Sequence, residues 1–169
     1  MAGADGRAYI APMTTLPLLP ATVIGSWSFP GWYAKFCDDA ARQPDLFGAD
    51  DRDEAVRDAV RLAVDDQLQA GADLITDGEM QRVDFNLGFY DHLTGLKPLP
   101  PVRRLGPPAH DQRSRYLCVA ALEAPHGLGI VEEYRRLHAL TDAPIKTPVP
   151  GPFTLAGCID GGEVYRDRR

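Results

Sequence analysis

Gly71-Ala72-Asp73-Leu74-Ile75-Thr76-Asp77-Gly78-Glu79 reads as a helix-stopping glycine, a short buried strand and a polar turn. The glycine follows a helical period. Val56, Val60, Ala63, Val64 and Leu68 recur at three- and four-residue intervals across residues 51–70, and a glycine just past such a run is the common left-handed stop. Asp51 with Glu54 resembles a variant capping box at the start of that helix. Upstream, Ala21-Thr22-Val23-Ile24-Gly25-Ser26 is a β-branched run ending in Gly-Ser, the pattern of a first core strand that delivers its backbone to a site. Strand, helix and strand in this order make a right-handed parallel unit.

The same organisation continues downstream. Residues 130–140 carry a second amphipathic period, with Val131, Tyr134, Leu137 and His138 or Leu140 on one side. Asp142-Ala143-Pro144 then leads to a third strand, Ile145-Lys146-Thr147-Pro148-Val149, and to Pro150-Gly151-Pro152-Phe153-Thr154. Proline cannot donate to a ladder, so Pro148 marks the end of that strand. Each strand ends in a conspicuous turn: Gly25-Ser26, Asp77-Gly78-Glu79 and Gly151-Pro152. In a parallel barrel such ends lie on one face, where sites are built.

The remaining segments are less regular. Residues 1–15 read as a flexible leader, within which Met13 is an alternative start. Trp27, Phe29, Trp32, Tyr33 and Phe36, broken by Pro30-Gly31, read either as an irregular cover over a cavity mouth or as loop-anchoring core. The Pro-rich residues 95–126 read as an inserted arm with a strand or two. Arg103, Arg104, Arg113 and Arg115 on it suit a solvated hairpin better than an anion site.

Composition excludes several classes. The chain has 169 residues, 44% hydrophobic and 25% charged, in the range of one globular domain. A net charge of −6 argues against nucleic acid as a partner, because phosphate contacts need concentrated basic surface. No stretch approaches the ~18 apolar residues of a membrane span and no secretory signal is visible, so the expected location is the cytoplasm. Cys37, Cys118 and Cys158 are odd in number and far apart, and His92, His110, His126 and His138 lack metal-ligand spacing. No metal site is expected from these residues.

Three ordered motifs resemble the cobalamin-independent methionine synthases and their shorter methionine-synthase-II-like relatives. They are Leu16-Pro17-Leu18-Leu19-Pro20 leading to Val23-Ile24-Gly25-Ser26, then residues 71–79, then residues 145–154. The resemblance spans residues 16–169, weakest in the arm, and implies the N-terminal part of a (β/α)8 TIM barrel: an α/β fold of about the first three βα units plus the inserted arm. It implies a zinc-dependent transfer of a methyl group from a methylated folate or related donor to the thiol of homocysteine, giving methionine. It assigns substrate binding to Ile24, Gly25, Ser26 and Glu79, with Asp84 as a lesser candidate. Backbone N–H groups and a hydroxyl suit a carboxylate, and a glutamate suits the substrate ammonium. Gly151-Pro152-Phe153-Thr154 would shape the floor near the donor, or serve only as a turn.

Two departures accompany the resemblance. Trp27-Ser28 stands before Phe29-Pro30 where the family motif runs into Phe-Pro at once, which alters the segment over the substrate. The family's zinc ligands, a His-x-Cys pair, a glutamate and a later cysteine, come from strands beyond this chain. A free thiol has a pKa of about 8.5 and needs the metal to become a thiolate, so the catalytic residues are unknown and the chain alone is expected to be inactive. A closed barrel takes roughly 250 residues, so the expected partners are a second chain supplying the other strands, or further copies in a homo-oligomer; the alternative is a truncated product. Two other functions remain open: thiol alkylation like that of the epoxyalkane–coenzyme M transferases, and a non-catalytic amino-acid-binding subunit.

Overall fold

A computed structural model of the chain describes residues 16–82, 87–103 and 112–166. The leader over residues 1–15, Asp84, and the tip of the arm lie outside the described residues. The first helix, α1 (Gly31–Arg42), is followed by a 3-10 turn, Pro44–Leu46, and by α2 (Ala49–Gln69). A short α3 (Leu87–Tyr90) precedes the arm strands β1 (Thr94–Arg103) and β2 (Gln112–Glu123). Then come α4 (Ile130–His138), α5 (Pro152–Ala156) and β3 (Ile159–Asp160).

The periodicity of α2 is realised as a buried stripe of Ala55, Ala59, Val60, Ala63 and Val64, joined by Gln67. These side chains form one core with Tyr33, Ile75, Met80 and Leu137. The helix begins two residues before Asp51, which caps it differently from the Asp51–Glu54 expectation: its carboxylate accepts the N–H of Gly48, the residue before the helix, at 2.8 Å. At the other end Gly71 has φ +79°, its N–H bonds Leu68 O, and Ala72 N–H bonds Gln67 O. This is the paired 5→2 and 6→1 closure that a left-handed glycine permits.

The three segments expected as core strands lie side by side and parallel, but among the described residues each neighbouring pair is joined by only an isolated bridge. Thr22 pairs with Leu74, and Ile75 with Ile145. The short ladders have a physical cause. Asp73 N–H reaches Ala21 O, but Ile75 N–H then turns to Pro144 O, on the third segment. Lys146 N–H returns to Ile75 O at 2.9 Å, and side chains make the joints beyond: Lys146 Nζ donates to Val23 O, Thr76 Oγ1 to Gly25 O at 2.7 Å, and Gln67 holds both backbone groups of Thr76.

The regular sheet is in the arm instead. β1 and β2 are antiparallel, and β3 joins β2 in parallel at Tyr116 and Leu117, giving the order β1-β2-β3. β1 is an edge strand, where prolines such as Pro98 and Pro100 are tolerated. Arg115, on the β1–β2 hairpin, pairs with Asp160 of β3 at 3.9 Å. The aromatic segment is not an irregular cover. Residues from Gly31 onward form α1, and the rings pack against the core, Phe29 tilted on Tyr33 at 5.2 Å and Tyr33 stacked on Phe36 at 6.4 Å. In α4 only Leu137 is buried; Val131 and Tyr134 face outward, and the helix ends at His138.

Candidate functional site

Two turns far apart in sequence meet at the ends of the first two parallel segments. Ser26 Oγ donates to Glu79 Oε2 at 2.5 Å across a separation of 53 residues. Trp27 N–H donates to Gly78 O at 3.0 Å, extending the junction by one residue. Glu79 is 6% exposed, and no salt bridge reaches it among the described residues. The buried Arg82 guanidinium also acts on Glu79 electrostatically, and a buried carboxylate with one hydroxyl bond and no ion pair of its own has room for a further cationic partner.

The backbone presents that carboxylate in an unusual way. Glu79 has φ 58°, a left-handed conformation that costs a non-glycine residue of order 1–3 kcal/mol. Asp77 holds it there: its Oδ1 accepts the Glu79 N–H at 2.9 Å while Oδ2 accepts from Gln81 Nε2 at 3.0 Å. Helix α4 braces the same turn. Arg136 donates to both Gln81 and Asp53, and the buried Arg82 is bridged to Glu133 and stacked on Phe89. From α1, Tyr33 donates to Met80 O at 2.5 Å, and burial pushes its hydroxyl well above the usual range.

Glycines admit the close approach. A Cβ on Gly25 would collide with Glu79 Oε1 and lie 2.9 Å from Pro148 Cγ. Gly78 has φ +70°, and a Cβ there would come within 2.9 Å of both Ala63 Cβ and Trp27 Cβ. Gly78→Ala is therefore expected to lower stability by about 2 kcal/mol, read as the shift in a urea unfolding midpoint at unchanged slope.

Of the residues singled out from sequence, Gly25, Ser26 and Glu79 converge. Ile24 does not: its side chain is 96% exposed, so only its backbone lies near the junction. Asp84 lies outside the described residues. Trp27 is no lid, since its indole donates to Asp66 on α2 at 3.1 Å and its ring packs on the core. Sequence reasoning passed over Thr76, Asp77, Lys146 and Gln67. Gln67 carried a signal, being a polar residue at the three- and seven-residue spacing of Val64 and Val60 on the apolar stripe.

Phe153 is 93% exposed on α5. It lines a separate cavity of about 630 Å³ with Arg115, Cys118, Leu122, Cys158 and Tyr165, away from Ser26 and Glu79. Among the described residues no group of three or more His, Cys, Asp or Glu is placed to hold a metal ion. Burial pushes the Cys37 and Cys118 thiols upward. The described residues do not make a zinc centre.

The chain is 31% identical to a methionine synthase of Saccharolobus solfataricus over 159 residues, which is 93% of this chain and 46% of that protein. It is 32% identical to a methionine synthase of Thermococcus kodakarensis over 142 residues, covering 83% of this chain and 40% of the relative. The chain is a homologue of the methionine synthases. A B12-independent methionine synthase from Shewanella sp. W3-18-1, solved in complex with selenomethionine, shares the fold with a TM-score of 0.66 at 24% identity, over 90% of this chain and 43% of that one. No protein-family model matches.

This methionine-synthase homologue thus spans less than half the length of the curated relatives it matches. No described helix is long and apolar enough to cross a membrane.

Proposed function

We propose that this chain is the amino-acid-binding part of a methionine synthase barrel, gripping homocysteine while its thiol receives a methyl group. The observation that carries the reading is the buried Glu79 carboxylate, hydrogen-bonded to Ser26 and without a salt bridge among the described residues. The substrate ammonium takes Glu79 as its partner, a charge-assisted bond that offsets the cost of burying the carboxylate. The substrate carboxylate lies against the backbone of residues 24–26, where Gly25 leaves room for Glu79 to approach. The selenomethionine complex of the Shewanella relative supports this, because selenomethionine has the same α-ammonium and α-carboxylate as homocysteine.

In this reading the three parallel segments are the first strands of the barrel, and the remaining strands lie in the part of the relatives that this chain does not match, on the same or a second polypeptide. Zinc, as the group that turns the homocysteine thiol into a thiolate, and a methylated folate, as the donor, are held by residues other than those described. The matches are to proteins named methionine synthase, which favours methyl transfer over epoxide opening and over a non-catalytic subunit.

Glu79→Gln tests the reading. It keeps the shape of the side chain and removes its charge, so affinity for L-homocysteine falls by about thirtyfold, while affinity for 1-propanethiol stays within about twofold, both by titration calorimetry. Equal loss for both ligands would remove Glu79 from ammonium binding.

A further inference from the structure

We infer that Thr76 is a positioning residue that sets the spacing between Ser26 and Glu79, and through it the preference for an amino-acid thiol over a simple one; this deepens the reading of the grip just given. The side chain is fully buried. Its Oγ1 donates to Gly25 O at 2.7 Å and accepts the N–H of Gly78 at 3.1 Å. Gly25 immediately precedes Ser26, and Gly78 immediately precedes Glu79. A single oxygen, using its donor and one of its two acceptor positions, therefore ties the backbone one residue before each half of the grip.

The tie is anchored from behind. Gln67 on α2 accepts the Thr76 N–H at 2.9 Å and donates to Thr76 O at 2.9 Å, so the hydroxyl cannot shift along the strand. In a regular parallel ladder the Gly25 carbonyl would be satisfied by a backbone N–H of the neighbouring strand. Here the hydroxyl replaces that bond and links it to the turn. The link matters because Gly78 and Glu79 both have positive φ, at 70° and 58°. With the Gly78 amide released, that turn has a competing extended conformation that carries the Glu79 carboxylate away from Ser26.

The test uses the full chain as wild type, Thr76→Val and Thr76→Ser, with two readouts. Valine matches threonine in shape but has no hydroxyl, whereas serine keeps it. Thr76→Val is expected to weaken L-homocysteine binding about tenfold, leave 1-propanethiol within about twofold, and speed hydrogen exchange at the Gly78 amide about tenfold, with Thr76→Ser restoring all three to near wild type. Should the valine protein not fold, Thr76→Cys, with only a weak donor, is read in its place and is expected to move in the same direction.

The inference is overturned if the valine variant binds homocysteine as wild type does, if it loses both thiols equally, or if serine does not restore the difference. If the wild-type chain binds no homocysteine, the grip reading has failed instead. The exchange rate at Gly78 then decides the positioning inference by itself, and an unchanged rate in the valine variant overturns it.

Discussion

Replacing Gln67 by leucine lowers the melting temperature by roughly 10 °C, the largest loss expected from one substitution in this chain. Leucine suits a helix and an apolar stripe, so propensity and burial alone predict no loss. The loss arises on the neighbouring segment. The Gln67 amide is the partner of both the N–H and the C=O of Thr76, at 2.9 Å each, and its Nε2 also reaches Ala63 O at 2.8 Å. Ala63 O lies inside α2, where a backbone bond already serves it. The two Thr76 groups are buried and would be left without partners, at about 1–3 kcal/mol each, or roughly 4 kcal/mol together.

Gln67→Glu sharpens the test. The carboxyl can still accept from Thr76 N–H, but it donates to Thr76 O only when protonated, and burial favours that neutral form. The folded-state pKa of the introduced group thus lies above its unfolded value. Stability is retained at acid pH, below the unfolded value, and is lost as the pH rises through the folded one. A Gln67→Glu protein whose melting temperature is flat between pH 4 and pH 8, or a Gln67→Leu protein that melts like wild type, would show that water replaces the amide.

Gly25→Ala abolishes homocysteine binding within the range of a titration, a loss of about a hundredfold or more, while unfolding shifts by only about 1–2 kcal/mol. The asymmetry follows from what the added methyl meets. Gly25 has no positive φ, so alanine is not excluded by backbone conformation. The space is what is taken, by Glu79 Oε1 and by the ring of Pro148, whose Cγ lies at 2.9 Å and Cβ at 3.1 Å. Proline cannot rotate aside, so the carboxylate moves, and moving it breaks the bond to Ser26. Retained binding in Gly25→Ala with the Ser26–Glu79 contact intact would mean that the junction is looser than these distances require.

Much of this arrangement can be read in the amino acids. The helix over residues 51–70 follows from its apolar spacing, and its end from Gly71, because local backbone preference and one-sided burial are properties of neighbouring residues. The turns that carry Ser26 and Glu79 follow from the apolar runs before them, while the roles of the two residues came from the resemblance to the methionine synthases. The aromatic helix α1 was not legible. Trp32, Tyr33 and Phe36 lack a clean alternation with polar residues, and their ring-on-ring packing exists only once Phe47 and the core are in place.

By itself the sequence determined the helix α2 with its stop, the parallel direction of the three apolar segments and the two turns that carry Ser26 and Glu79. Those rest on periods and turn residues, which act over a few positions. Only the tertiary structure decided that the segments are joined by side chains rather than by long ladders, that Ile24 faces outward, and that Gln67, Thr76 and Lys146 carry the joints. These are hydrogen bonds between groups 9, 51 and 123 residues apart, and no local pattern encodes which buried carbonyl a distant side chain will reach.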